Sequence, residues 1–466
     1  MEKSLLARLL ISLNAPELSR LDKFIQSPYF NNRTEVVKLC QVLVQYTRKG
    51  KEWPDKTILF QQIFGKKPFD DHRLRVTMSF LYQLICRFIS LETLESDAAA
   101  QQRALALALR SRNLPERAAK ALQQARTVAA DAPHQNADAL ERQYQLALDQ
   151  YRAAVDNFQP ETSDLKALTQ QLDDTYLARK LWQACFTHSH STMYNTQFDH
   201  GLLHATLQYV SEHPEKLQMP AIGLYYYCYL ALTQPTEIVH FRTFMQIFKA
   251  HSAVFPNDEL RDIFVLALNF CSRQYNAGNQ NYLREQFDLY REGLERGFFL
   301  TDGTLAPYTY TNAATIGLIL GELTWVEQFV NTYAAALRPE HRDNLYYFNH
   351  ARLAYRRQEL GKALQLLQKA DYKDQMLHLA AKTLQAKIYF ELGEWDVLSS
   401  HLHAFKAFLQ RRNHMGYHRD NYLHLVHFLG KLLELNVSDK KGRAQLRDYI
   451  VATKAVAEKE WLLHQV

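Results

Sequence analysis

Residues 351–370 read ARLAYRRQELGKALQLLQKA, and residues 386–405 read AKIYFELGEWDVLSSHLHAF. Each stretch begins with small or aromatic positions, Ala351 and Ala354 in one and Ala386 and Tyr389 in the other, and then turns, with Gly393 marking the second turn. Beyond the turn, Leu360, Ala363, Leu367 and Ala370 are spaced by 3, 4 and 3, and Trp395, Leu398, Leu402 and Phe405 repeat that spacing. Steps of three and four keep side chains on one face of an α-helix, so each stretch predicts two helices joined by a short turn. Small residues on the first helix let the second approach closely. Trp325, Leu360 and Trp395 are separated by 35 residues each, and a fixed period of this length is a signature of stacked repeats.

Composition extends the helical reading to the rest of the chain. Gly 15 and Pro 13 in 466 residues leave few punctuators for short strands and tight turns. Stretches such as RALALALRSR and AKALQQARTVAA are rich in strong helix formers. Residues 1–95 predict a small helical domain with helices over Ser4–Leu13, Glu17–Gln26, Thr34–Arg48, Lys56–Phe64 and Asp70–Leu94, the last carrying Leu74, Met78, Leu81, Ile85 and Phe88 at helical spacing. The turn Ser27-Pro28-Tyr29-Phe30-Asn31 ends the second helix, because a residue before proline is pushed out of helical geometry, and Tyr29 and Phe30 are expected to tuck against the core. Further breaks fall at Arg112-Asn113-Leu114-Pro115, Asp131-Ala132-Pro133, Asn157 to Pro160, His213-Pro214, Pro256-Asn257 and Pro339-Glu340. The expected organisation is a helical domain over 1–95, degenerate helical hairpins over 96–304, regular repeats over 305–435, and a capping helix within 436–466, placed at Ala444 to His464.

The period and the two quoted stretches resemble the tetratricopeptide repeat, most clearly over residues 305–410. The unit containing Trp325 matches less well, with Ile316 where Ala or Gly is usual, although Pro339 falls near the family's closing proline. RNLPERAAKALQQA and NAGNQNYLREQFDLYREGL echo the pattern weakly. The whole chain also resembles bacterial helical-repeat proteins, without an assigned function, that carry a similar SPYFN turn. The resemblance implies an all-α fold in which antiparallel helical hairpins stack into a right-handed solenoid, with a groove lined by first helices that holds peptides or partner proteins.

Charge and cysteine usage narrow the partner classes. The net charge is +6, yet residues 1–95 hold 15 Lys and Arg against 10 Asp and Glu, which leaves the remainder nearly neutral. A nucleic-acid binder concentrates basic residues on one face, so nucleic acid is disfavoured as a partner. Cys40, Cys86, Cys185, Cys228 and Cys271 are odd in number and form no CxxC pair, as expected of thiols in a reducing, cytoplasmic setting. The longest apolar run, Ala221–Leu232, is too short for the ~20 residues of a membrane span.

No motif supports catalysis. His-Arg-Asp-Asn occurs at 341–344 and 418–421 without the glycine-rich loop or Asp-Phe-Gly that would make it a kinase signature, so Asp343 and Asp420 read as helix caps. The pairs His200/His204 and His424/His427 have helical spacing but no third ligand at recognisable spacing. Neither a cofactor nor a metal is expected. The expected function is that of a non-enzymatic scaffold binding a protein or peptide through Phe348, Asn349, Arg352, Tyr355, Arg356 and Lys387. Arginine grips carboxylates bidentately and aromatics bury apolar side chains, which suits an acidic peptide or a C-terminal carboxylate. The alternative is a transcriptional regulator with a nucleic-acid-binding N-terminal domain and peptide-sensing repeats, and a histidine-based metal enzyme is a distant third.

Overall fold

The computed structural model describes residues 4–49, 52–156, 164–194, 196–301, 303–372, 374–411, 417–435 and 439–466. It is 80% helical. Among the described residues the only strands are β1 (Leu300–Thr301) and β2 (Thr304–Leu305), which form a two-residue antiparallel pair. The break expected at Asn157–Pro160 lies outside the described residues. Two compact units divide the chain: Met1–Trp182 with Leu202–Ile222, and Gln183–Gly201 with Gly223–Val466.

The first unit opens with α1 (Leu5–Ser12), α2 (Ala15–Gln26), α3 (Thr34–Arg48), α4 (Lys56–Phe64) and α5 (Asp71–Ser96). Local chemistry sets these bounds. Asn14 and Glu17 form a reciprocal capping box at the start of α2, at 2.9 and 2.7 Å, and Asp70 caps α5 through the Arg73 amide. Leu74, Leu81, Ile85 and Phe88 of α5 complete a core with Leu10, Leu21, Leu39, Leu43 and Phe60, and Met78 lines its edge. By length and composition α5 is the one described helix apolar enough to cross a membrane, but its apolar stripe is the wall of this core. One expectation fails here. Phe30 stacks on Phe24 at 4.2 Å, whereas Tyr29 is 82% exposed. The turn has room to bury one ring, and the neighbouring ring points to solvent.

The remaining helices of this unit are α6 (Ala98–Arg110), α7 (Pro115–Ala130), α8 (Ala137–Asp156), most of α9 (Leu165–Tyr194) and α10 (Leu203–Glu212). Consecutive helices pack on one another from α6 to α8 over a core of small residues, Ala106, Ala121, Ala125 and Ala153, with Leu122 and Leu146. Lys216 and Asp174 form a buried ion pair at 2.6 Å.

The second unit continues from α11 (Pro220–Thr233) through α12 (Ile238–His251), α13 (Asn257–Asn276) and α14 (Asn281–Glu295), then the strand pair. It resumes with α15 (Pro307–Leu320), α16 (Leu323–Tyr333), α17 (Pro339–Arg356), α18 (Leu360–Gln368), α19 (Gln375–Leu392), α20 (Trp395–Gln410), α21 (Tyr417–Glu434), α22 (Lys440–Ala452) and α23 (Lys459–Gln465). Neighbours in sequence pack together, and α17 also contacts both α15 and α19. Asp420 lies in the first turn of α21, but Asp343 caps nothing, because α17 starts earlier, at Pro339.

One backbone turn recurs. Gly321, Gln358 and Gly393 each take a left-handed conformation, with φ of 78°, 63° and 73°. The amide of the following glutamate then donates back across five residues: Glu322 to Gly317 O, Glu359 to Ala354 O and Glu394 to Tyr389 O, at 2.9, 2.9 and 3.0 Å. This is the Schellman arrangement that satisfies the last carbonyls of a helix. The same bond closes α6 at Asn113 and α13 at Gly278, so the device extends well upstream of residue 305.

These turns correct the register read from the tryptophans. Helices α16, α18 and α20 begin at Leu323, Leu360 and Trp395, which makes Leu323, not Trp325, the counterpart of the other two. The spacings become 37 and 35, and the small positions equivalent to Ala351 and Ala354 are Ala314 and Gly317, not Ile316 and Ile319. A β-carbon on Gly317 would lie 2.5 Å from Val326 Cγ2 and 3.3 Å from Phe287 Cε2, so glycine stands where α16 comes nearest.

The expected single C-terminal helix is two helices, with the break spanning Thr453 to Glu458. Leu446, Ile450 and Leu462 all enter one core. At 3.6 residues per turn, a continuous helix would carry Leu462 about 120° away from Ile450. The break brings it back, and Glu458 absorbs the turn with φ of 53°.

Candidate partner-binding site

Helices α17 and α19 supply the site. Arg352 and Tyr355 are three residues apart on α17, and Lys387 and Glu391 are four apart on α19, so each pair shares a helix face. Packing of α17 on α19 brings the faces together. Tyr355 Oη donates to the Glu391 carboxylate, and Lys387 Nζ sits 5.1 Å from the centre of the Tyr355 ring.

This surface is already covered by the chain's own C-terminal segment. Lys387 Nζ donates to Glu458 Oε2 at 2.7 Å and lies 5.3 Å from the centre of the Trp461 ring. Trp461 Nε1 donates to Glu391 Oε1 at 2.8 Å, and its ring meets Phe390 edge-on at 5.5 Å. Glu391 thus accepts from Tyr355 on one side and Trp461 on the other. Lys387 retains only 13% side-chain exposure.

Arg352 stands deeper. Its Nη1 donates to Thr315 Oγ1 of α15 at 2.8 Å and to Asn349 Oδ1 at 3.4 Å, and its guanidinium lies 5.6 Å from the centre of the Phe348 ring. Among the described residues no carboxylate pairs with it. Burial lowers its pKa to about 10, with Glu458 opposing the shift and Arg356 adding to it, so it remains cationic at neutral pH. Burial and then the Glu391 carboxylate hold the Tyr355 phenol well above its ordinary range; it is therefore a proton donor.

Of the six residues expected at the site, Tyr355 and Lys387 meet, and Arg352 lies one helical turn from Tyr355 with its guanidinium held by Thr315 and Asn349. Arg356 is exposed beside them. Phe348 and Asn349 do not line it. Phe348 packs in a core with Ala351, Ala363, Leu367 and Leu384, and Asn349 is fully buried, donating to Leu345 O at 2.9 Å. Helix α17 is flanked by α15, α16, α18 and α19, so more than one of its faces turns inward. Glu391, Glu458 and Trp461 were not anticipated. The i, i+4 spacing from Lys387 could have pointed to Glu391, but nothing local marks the other two.

The histidines build nothing comparable. Among the described residues no group of three or more His, Cys, Asp or Glu is placed to hold a metal ion. His424 Nδ1 is 2.7 Å from Ala455 O, and His401 Nε2 is 2.9 Å from Lys382 O, so both rings serve the backbone. A scan against known protein families finds none that matches the chain, and a search of curated protein sequences finds no significant match.

Proposed function

We propose that the chain is a non-enzymatic scaffold of stacked tetratricopeptide-like hairpins, wound as a right-handed solenoid, that binds an acidic segment of another protein on the face formed by α17 and α19. The observation that carries this reading is Lys387, beside the Tyr355 ring, holding an acidic side chain, Glu458, presented from an irregular stretch of chain, with the Arg352 guanidinium one helical turn from Tyr355. Among the described residues Glu458 is the one carboxylate ion-paired with these cations, while Glu391 is engaged by Tyr355 and Trp461; cations so placed favour an anionic ligand, and ring faces beside them add apolar contact. The recurrent turn and the contacts of α17 with α15 and α19 support the hairpin stack.

The test is photo-crosslinking in the native cell from a benzoylphenylalanine placed at the exposed Arg356 position. Proteins captured by the wild-type face are expected to be lost when Lys387→Glu is added, with helicity unchanged by circular dichroism. An identical set of captured proteins with and without that change would overturn the proposal.

A further inference from the structure

We propose that the segment Lys454–Val466 is an intramolecular occupant of the partner site, and that the partner segment it stands in for carries a carboxylate followed three residues later by an aromatic side chain. This rests on the reading of the α17–α19 face given above. Glu458, the left-handed residue just before α23, and Trp461, in the first turn of that helix, both land on α19: Glu458 on Lys387, Trp461 on Glu391 and Phe390. The next residue, Leu462, is fully buried in the core with Leu446 and Ile450. Trp461 packs against the same core that buries Leu462, and the glutamate and the indole N–H add two polar contacts on the α19 face.

Three features set these contacts apart from a simple end cap. Beside the apolar packing of Trp461 on Phe390 and the core stand two directional polar contacts, an ion pair and an indole N–H bond, whereas a cap needs only to cover apolar surface. Glu458 is held in the left-handed region, with φ 53° and ψ 36°, a conformation strained for any residue with a β-carbon; the ion pair with Lys387 works against that strain. The six residues Thr453–Glu458 that precede α23 are outside any helix and are held to α21 by the Ala457 N–H donating to Asn421 O at 3.1 Å and by His424 Nδ1 2.7 Å from Ala455 O, so this is the joint that must be released for the tail to lift while α22 stays packed. Once the tail lifts, Lys387, Glu391, Tyr355 and Phe390 are exposed together, next to Trp395, which is already 51% exposed and meets Phe390 edge-on at 5.4 Å. The freed surface would offer a cation, a carboxylate acceptor for an indole N–H, and an aromatic floor.

The experiment uses the full chain and a fluorescein-labelled peptide of the tail sequence, KAVAEKEWLLHQV, read by fluorescence polarisation. In the protein variant Glu458→Gln, Trp461→Ala, which keeps Leu462, the face is vacated and the peptide is expected to bind at least ten-fold more tightly than to wild type. A peptide carrying the same two changes is expected to bind neither protein. Equal binding of the unchanged peptide to wild type and variant, lost in both when Lys387→Glu is added, would sink the cis occupancy and leave the partner face standing. Failure of the vacated protein to bind the peptide at all would overturn both. A readout that needs no variant is the indole N–H resonance of Trp461 in wild-type protein labelled with 15N: excess unlabelled peptide is expected to move it toward its solvent-exposed position, and an unmoved resonance at saturating peptide counts against displacement.

Discussion

Replacing Gly317 by alanine sets two known effects against each other. In a helix interior, glycine is disfavoured relative to alanine by about 1 kcal/mol, so the change stabilises an open site. At Gly317 the added methyl would lie 2.5 Å from Val326 Cγ2 and 3.3 Å from Phe287 Cε2, and Val326 and Phe287 are both fully enclosed. Valine has little freedom about χ1, and overpacking of this kind costs about 1–3 kcal/mol. The clash outweighs the propensity gain, and Gly317→Ala is expected to destabilise by about 1 kcal/mol. The neighbouring unit shows how the conflict is relieved. Its equivalents are Ala354 and Ala363, each donating or accepting the same turn bonds as Gly317 and Val326, so the large residue faces glycine in one unit and both positions are alanine in the next. In a Val326→Ala background, then, Gly317→Ala should stabilise by about 1 kcal/mol, giving a coupling of about 2 kcal/mol across the double-mutant cycle. Urea unfolding followed by tryptophan emission is the assay, since Trp325 lies in the same contact. Stabilisation by the single change in the wild-type background would refute the claim that α16 approaches closest at Gly317.

Other expectations follow from strain, burial and titration. Gln358 occupies a left-handed position where its two counterparts are glycine, so Gln358→Gly should stabilise by about 0.5–1 kcal/mol after the entropy of the unfolded glycine is counted, seen as a raised urea midpoint; a lowered midpoint would argue against the turn. Lys216→Met leaves Asp174 buried without its cation and should cost about 3–5 kcal/mol; adding Asp174→Leu should recover most of that, and no recovery would mean that the pair is not coupled. Burial lowers the pKa of His188, His350 and His401. Their unfolded forms take up protons near pH 6.5 while the folded forms still resist, so stability should fall as pH drops from 7 through that value and return as pH rises. His401→Gln should flatten the slope between pH 7.5 and 5.5 in a urea series, and an unchanged slope would remove His401 as a contributor.

Much of the fold was legible because apolar spacing is a local signal. Helices α1 to α5 could be placed within a few residues, and the α5 stripe from Leu74 to Phe88 marked the N-terminal core. The 35-residue period was read from its most conspicuous side chains, and that misled by two residues at Trp325. What actually repeats is a backbone event, a left-handed residue followed by glutamate, and Gln358 hides it because its identity does not announce its conformation. At the candidate site, helical spacing was enough to relate Arg352 to Tyr355 and Lys387 to Glu391. Phe348 and Asn349 were lost to the interior because a helix with neighbours on several sides buries more than one stripe. The tail's return was invisible, since Leu446, Ile450 and Leu462 look compatible with one helix until the angle between them is worked out.

The distance in sequence between the tail and its seat has a consequence in time. Most helices here pack on the ones just before and after them, so each pair can settle soon after it leaves the ribosome. Glu458 and Trp461 instead meet Lys387 and Glu391 across 71 and 70 residues. The face on α17 and α19 is therefore complete while the segment that closes it has still to be synthesised, and during that interval a newborn chain is open in a way the finished one is not.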